Sequence, residues 1–366
     1  MSRNEMLEGF ILGQRLKGHA GRGALLPTGS GGGLPSDYIR GFAMGLGSVG
    51  WRFYPDFEPE DPSPCVTFSS PAEFYITKAT GYQTKTWDGT LQYSTDGLYW
   101  TDWDGTGELH SSSGTLRLRG RGNSVISGSV YGHGWLIFGS SVSCTGNLET
   151  LLDYRAVQAQ EHPVPGEYAF RELFRGNTAL ITAPELPSGT LSPRCFYRMY
   201  YGCTQLLSAP DIAAAVLPAG SCYQMFYNCG SLTGAPALLA TGFGEDCCFE
   251  MFCNCSSLAL PPAIGAVSVG RYACNGMFRN CSGLGSLPAL GASTLGDYCY
   301  ANMFAGTGTR LRAAQNDYCI YPFSFSGSGG SGVANNMFDG TTVSGEIRTP
   351  ARGTVYYATL PTSSAT

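Results

Sequence analysis

The sequence predicts a multidomain chain: a short N-terminal segment of helical or irregular structure, an all-β antiparallel sandwich, then a solenoid with a short helix plus a strand in each 26-residue repeat. Three observations carry that reading. A phrase built on Met-aromatic recurs at a fixed interval through the second half of the chain. Short β-like runs divided by Gly, Pro and Asp-Gly fill the middle. Only 13% of the 366 residues are charged, against 51 Gly and 12% aromatics, which suits short elements and many turns and not a disordered chain. The boundaries predicted are 1–55, 56–154, 155–345 and a C-terminal cap or tail over 346–366.

Residues 1 to about 50 hold two similar phrases, MLEGFILG (6–13) and YIRGFAMG (38–45), separated by TGSGGGLP (28–35). Each sets Gly-Phe-x-x-Gly in a pattern compatible with helix, and Leu7, Phe10 and Ile11 share a face at helical spacing. Each glycine lowers helicity by about 1 kcal/mol relative to Ala, but glycines four apart admit another backbone closely. Gly9, Phe10, Gly13, Gly41, Phe42 and Gly45 are therefore the candidate attachment residues. Two readings stay open: a poorly ordered leader, or a docking segment that becomes helical against a larger assembly. The run around Arg3, Glu5 and Glu8 is not a secretory signal. Cytosolic synthesis then predicts reduced thiols for the 14 cysteines.

After DFEPEDPSP (56–64), the runs CVTFSS, AEFYITKA, GTLQYSTDGLYWTDW, GTLRLRG and GWLIFGSSVSC read as strands, closing near GNLETLLDY (146–154). Asp96-Gly97 is a favoured tight-hairpin dipeptide. Trp87, Trp100 and Trp103 suit either a carbohydrate-stacking surface or cross-strand packing, and Trp100 and Trp103 are carried forward as recognition candidates.

From about 165 the anchors Leu173, Met199, Met225, Met251, Met277 and Met303 follow one another at intervals of 26, and Met337 follows after 34, beyond a Gly/Ser-rich insertion. An unbroken period of this length predicts a solenoid, because no single repeat can enclose its own apolar face. One place after the anchor stands an aromatic column that includes Tyr200, Phe226 and Phe252. Leu232, Leu238 and Phe243 exemplify the columns at seven, thirteen and eighteen, and Pro236 the column at eleven. Each large side chain buried this way contributes roughly 1.5–3 kcal/mol. Three places after the anchor only Gly and Asn occur (Gly176, Gly202, Asn228, Asn254, Asn280, Gly306, Gly340), which predicts a left-handed residue ending a short helix. SLTGAPAL (231–238) is then expected to be the strand and its approach. Cys203, Cys229, Cys255 and Cys281 share the place four after the anchor, and Cys222, Cys248 and Cys274 the place three before it, as small buried residues. A zinc site at Cys247, Cys248, Cys253 and Cys255 is the competing interpretation, and disulfides between columns form only after oxidation.

The phrase Met-Phe-x-Gly/Asn-Cys-x-Ser-Leu-Thr-x-Ala-Pro, followed by Cys-Tyr-x-x-Met-Phe, resembles the BspA-like leucine-rich repeats found in surface proteins of gut bacteria and in their phages and prophages. LQYSTDGLYWTDW and GNLETLLDY look like the β domain that often precedes such repeats, so the resemblance covers about residues 65 to 345. It implies a right-handed solenoid serving adhesion or recognition, and no catalytic residues to carry over. The doubled GFxxG segment looks more like the attachment region of a phage structural protein.

Nothing in the sequence argues for chemistry. His19, His110, His133 and His162 lack ligand spacing, no nucleophile elbow or phosphate loop appears, and Glu245/Asp246 and Glu58/Glu60 read as solvated charge. The formal charge of −5 gives no reason to bind nucleic acid, and no apolar run is long enough to insert in a membrane. No enzyme activity and no cofactor or metal are expected. The expected function is a virion appendage or fibre-like protein that docks to other virion proteins through its N-terminus and recognises a host cell-surface protein or glycan. The trimer is the guessed oligomer, and the location is the virion, exposed after release. The alternatives are a bacterial cell-surface adhesin and a decoration protein that binds only other virion proteins. Presumed strand positions are small (Ser208, Thr233, Gly234, Ala259, Ser286), whereas tyrosines crowd the other edge (Tyr197, Tyr201, Tyr227, Tyr272, Tyr298). Tyr201 and Tyr227 are accordingly the repeat's recognition candidates, against the plainer reading that they cover the core's edge.

Overall fold

The computed structural model describes residues 43–45, 51–53, 63–79, 86–128, 134–307, 330–337, 346–351 and 354–359, and these are mostly β structure with one α-helix among them. The chain divides into two compact units, Met1–Pro62 and Ser63–Thr366. In the first, β1 (Ala43–Gly45) pairs antiparallel with β2 (Trp51–Phe53). Gly45 thus closes a strand where helix was expected, as suits glycine's poor helicity and a partner rich in aromatics. Gly9, Phe10, Gly13, Gly41 and Phe42 lie outside the described residues.

The second unit begins with β3 (Val66–Ser69), β4 (Tyr75–Lys78), β5 (Thr90–Ser94), β6 (Thr101–Trp103), β7 (Glu108–His110), β8 (Thr115–Arg121), β9 (Trp135–Phe138) and β10 (Val142–Thr145). Alternation decides which side chains turn inward: Leu116 and Leu118 of β8 and Val66 and Phe68 of β3 are fully buried. One sheet runs β10-β3-β8-β5-β6 and the other β7-β4-β9, with every pairing among these strands antiparallel. Their inner faces share one core, where Trp103 of β6 meets Trp135 of β9 edge to face at 5.9 Å. Asp96-Gly97 does lie between β5 and β6, with Gly97 at φ 80°, but the turn is wider than the dipeptide alone. Asp96 Oδ1 accepts from the Leu98 and Tyr99 amides at 2.8 and 3.0 Å and shapes it. Helix α1 (Glu149–Gln158), kinked at Asp153, crosses β8 at Gly120, where any Cβ would overlap the Leu151 carbonyl oxygen.

Beyond the helix, β11 (Leu180–Thr182) joins the larger sheet parallel to β10, so the first repeat is hydrogen-bonded to the β region. The next four repeats contribute β12 (Val216–Leu217), β13 (Gly242–Phe243), β14 (Ser268–Val269) and β15 (Thr294–Leu295), a parallel sheet in which each residue pairs with the one 26 places on. These two-residue strands fall seventeen and eighteen places after the anchor, not in the SLTGAPAL stretch. There the chain makes only single parallel bridges, Ser208 to Gly234 and Ile212 to Leu238. Pro236 and its equivalents have no backbone N–H to donate to a ladder, which limits pairing there to isolated residues. Among the described residues the predicted Leu, Ile, Val and aromatic columns are interior: Leu206, Leu232 and Leu258 are fully buried, as are Phe226, Phe252 and Phe278, whereas Pro210 of the proline column is half-buried. The aromatic column is a ladder of parallel rings with centroids 5.3–5.6 Å apart from Tyr200 to Phe304.

The expected short helix is absent from the described repeats. Along 220–229 the amides of Met225, Tyr227 and Cys229 bond back three residues within their own repeat. Those of Cys222, Gln224, Phe226 and Asn228 instead donate to the carbonyls of Cys247, Phe249, Met251 and Cys253 in the next, at 2.8–2.9 Å. Every fourth residue has positive φ: Gly220 (61°), Gln224 (50°) and Asn228 (64°), with the same pattern in the neighbouring repeats. The left-handed assignment for the Asn/Gly column therefore holds, but it closes a run of turns and not a helix. Spacing supplies the reason. Repeats stacked through strands lie about 4.8 Å apart, whereas α-helices pack at about 8–10 Å, so adjacent helices would force the stack apart on one side. Turns that share alternate amides with the next repeat keep the two sides in step. At the C-terminal end β16 (Glu346–Ala351) and β17 (Thr354–Thr359) form an antiparallel hairpin.

Candidate recognition surface

The turn side of the stack carries the tyrosines. Tyr197, Tyr223 and Phe249 form one ladder (4.7 and 4.9 Å between centroids) and Tyr201 and Tyr227 another (4.8 Å, planes within 1°). The 26-residue period alone places them so, since identical positions must superpose. Guanidinium groups lie on the rings that lead each ladder: Arg171 is 5.1 Å from the Tyr197 centroid and Arg175 is 5.3 Å from that of Tyr201. Arg198 lies near Tyr197, Tyr201 and Tyr223 at 5.2–5.8 Å. Its Nε donates to Gln224 Oε1, Gln224 Nε2 donates to Glu250 Oε2, and Arg279 Nη2 donates to Glu250 Oε1, each at 2.6 Å. Tyr197, Tyr201 and Tyr223 thus have both ring faces occupied. What they offer a partner is ring edges and hydroxyls, not stacking platforms. Burial raises the Tyr227 phenol above its ordinary value, so it remains a donor.

The tryptophan candidates separate. Trp103 is 4% exposed and Trp87 3%, and they pack on each other at 5.2 Å in the core, so Trp103 is unavailable to a ligand. In β6 Trp103 is buried, whereas Thr101 and Asp102 are exposed. Trp100, one residue before that strand, is half-buried under Arg119, whose guanidinium sits 4.0 Å from its ring and 4.1 Å from that of Tyr154. The exposed large apolar side chains at this hairpin are Leu98 and Tyr99, which the sequence did not single out.

One cluster was missed. Glu149 Oε2 lies 2.9 Å from His162 Nδ1, Glu149 Oε1 accepts from the Ser188 amide at 2.9 Å, and Ser188 Oγ is 3.3 Å from the same His162 Nδ1. The three residues are far apart in sequence, and only the fold joins them. Serine and carboxylate meet the same ring nitrogen, so no proton can pass from hydroxyl to carboxylate through the ring. The arrangement is a clasp that holds the loop at 188 to α1.

The cysteines have a structural use. Cys203, Cys229, Cys255 and Cys281 donate Sγ–H to the carbonyls of Phe174, Tyr200, Phe226 and Phe252 in the preceding repeat, at 3.0–3.1 Å. Burial pushes the Cys203 and Cys281 thiols up to about 12 and that of Cys229 well above its ordinary value. In the first repeat Asn177 replaces the cysteine and bonds β9 instead, accepting from the Ile137 amide and donating to the Trp135 carbonyl, both at 2.7 Å. Among the described residues no three His, Cys, Asp or Glu side chains converge as a metal site, and no helix is long and apolar enough to cross a membrane. No protein-family model, curated protein or solved structure matches the chain.

Proposed function

We propose that this protein is a non-catalytic recognition component of a phage virion, a BspA-like leucine-rich-repeat solenoid in which turns take the place of the usual short helix. The observation that supports this reading most is the 26-residue register itself. It aligns tyrosine and arginine in rows on one side of a stack whose interior is mainly apolar side chains and thiols. Such a surface presents many weak polar contacts in fixed order and suits adhesion. Residues 1–55 serve as the docking segment to other virion proteins, and the β region caps the first repeat: the Ile126 and Trp135 amides donate to the Ala169 and Leu173 carbonyls. A repeat array needs a cap of this kind at its end.

Adsorption tests the reading. Fluorescently labelled full-length protein is expected to bind cells of the bacterium whose phage or prophage carries the gene, and to compete with infection. Failure to adsorb, with no competition, removes host recognition and leaves the decoration role.

A further inference from the structure

The place five before the anchor is occupied by Tyr168, Arg194, Gly220, Asp246, Tyr272 and Tyr298, all at positive φ of 53–61°. The backbone is therefore alike in each repeat; Gly332 holds the same place before Met337 at φ 64°, and among the six repeats anchored from Leu173 to Met303 Gly220 is the one without a side chain there. Beside it, in a column that otherwise reads Glu167, Pro193, Glu245, Arg271 and Asp297, stands Ala219. The two small residues fall in one repeat; the Arg194 stem lies against Gly220, within 3.0 Å of where a Cβ would stand, and a cavity of about 330 Å³ lies beside them. Its floor is Ala219 and Gly220, its walls are Arg194 from the repeat before and Glu245 and Asp246 from the repeat after, and Tyr197 and Tyr223 form the rim. That volume is at the lower end of small-molecule sites, about 300–1,000 Å³.

The charges around this notch are largely matched from outside it. Arg194 pairs with Glu167 at 3.0 Å and Glu245 with Arg271 at 3.6 Å. A charged ligand would have to compete with both pairs. Asp246 is partly shielded from solvent, contrary to the solvated charge expected of it. Its carboxyl is raised above the usual range by burial and then by Glu245, against the pull of Arg271 and Arg194. A carboxylate so placed gains most from hydroxyl donors that bring no charge of their own. Across the gap the Arg194 guanidinium offers donors. With both faces of Tyr197 and Tyr223 occupied, a ligand ring finds no aromatic platform and must rest on the small floor.

We propose that the Gly220 notch binds one neutral sugar ring through a vicinal diol, whose hydroxyls donate to Asp246 and Glu245 and accept from Arg194. This rests on the recognition reading above and names its ligand class.

The test is saturation-transfer NMR on the full chain with the methyl glycosides of glucose, galactose and mannose, and with N-acetylneuraminic acid and glucosamine as charged probes. At least one neutral glycoside is expected to give transfer, weakened at least tenfold by Gly220→Asn and by Asp246→Asn. Asparagine keeps the left-handed backbone, as Asn228 and Asn254 do in this molecule, but its Cβ at 220 stands 3.0 Å from Arg194 Cγ and shifts that side chain, so Asp246→Asn is the variant expected to melt like the parent. No transfer from any neutral glycoside, transfer from the charged probes alone, or transfer that persists in Asp246→Asn overturns the proposal. Sugar binding without cell adsorption upholds the notch and removes the host reading. Cell adsorption with no sugar signal removes the notch and keeps that reading.

Discussion

The two halves of the unit 63–366 solve one problem in opposite ways. In the β region each strand pairs with a different partner, and the core is filled by unlike side chains: Trp87, Trp103 and Trp135 meet at 5.2–5.9 Å in tilted or edge-to-face contacts. In the repeats each residue meets its own equivalent, and Tyr200, Phe226, Phe252 and Phe278 lie face over face. Register explains the difference. Where the bonds between repeats join the same positions in every repeat, side chains have no choice but to stack, and the interior is specified by columns. Where they join strands of unrelated sequence, shape must be fitted pair by pair.

The largest expected effect tests the ladder. Phe226→Ala removes a fully buried ring held between two others and is expected to cost about 3–5 kcal/mol in denaturant unfolding. A cost below about 1 kcal/mol would mean that the column is not continuous. Alkaline pH tests the thiols of the same interior. Cys195, Cys203, Cys281 and Cys299 are pushed up to about 12 from the ordinary 9.0. A raised thiol favours the neutral form in the fold, so stability is intact below about pH 9 and falls as pH climbs toward 12. The slope is about 1.4 kcal/mol per pH unit for each such thiol. Unfolding titrations at stepped pH check this, and native protein at about pH 8 is expected to leave these four thiols unlabelled by iodoacetamide.

Asn228→Val tests the turns. A β-branched residue at φ 64° is expected to cost about 1–2 kcal/mol, while Asn228→Gly should melt within a few degrees of the parent. Equal melting temperatures for Val and Asn would refute the left-handed requirement. The smallest effect belongs to the β region. Arg119→Ala withdraws a guanidinium from between Trp100 and Tyr154 and should cost about 1 kcal/mol, without the propagating loss expected of Phe226→Ala.

Reading the sequence succeeded where one residue type could serve only one purpose. Leu232, Phe226 and Cys229 were legible as interior because the period repeats them, and Asn228 as left-handed because its column tolerates only Asn and Gly. It failed where residues of ordinary preference are overridden. Arg198, Gln224 and Glu250 all hold positive φ, at 53°, 50° and 48°, a conformation none of them advertises. The inter-repeat amide bonds impose it, against a strain of about 1–3 kcal/mol each. Helix was accordingly expected and turns were found. The same limit hid the clasp at Glu149, His162 and Ser188, where His162 and Ser188 are 26 residues apart but Glu149 falls outside that period, and the burial of Trp103, which depends on which face of β6 meets the second sheet.

The sequence by itself determined the stacking interval, the interior columns and the place of every aromatic rung, because a fixed period makes neighbours of equivalent residues. Tertiary structure alone decided that the rungs are joined through turns and that the tyrosine faces are closed by arginine and by one another. It alone also set a cavity beside Ala219 and Gly220, between Arg194 and Asp246. Each of these depends on distances between repeats, about 5 Å, that are set by backbone pairing and by no single residue.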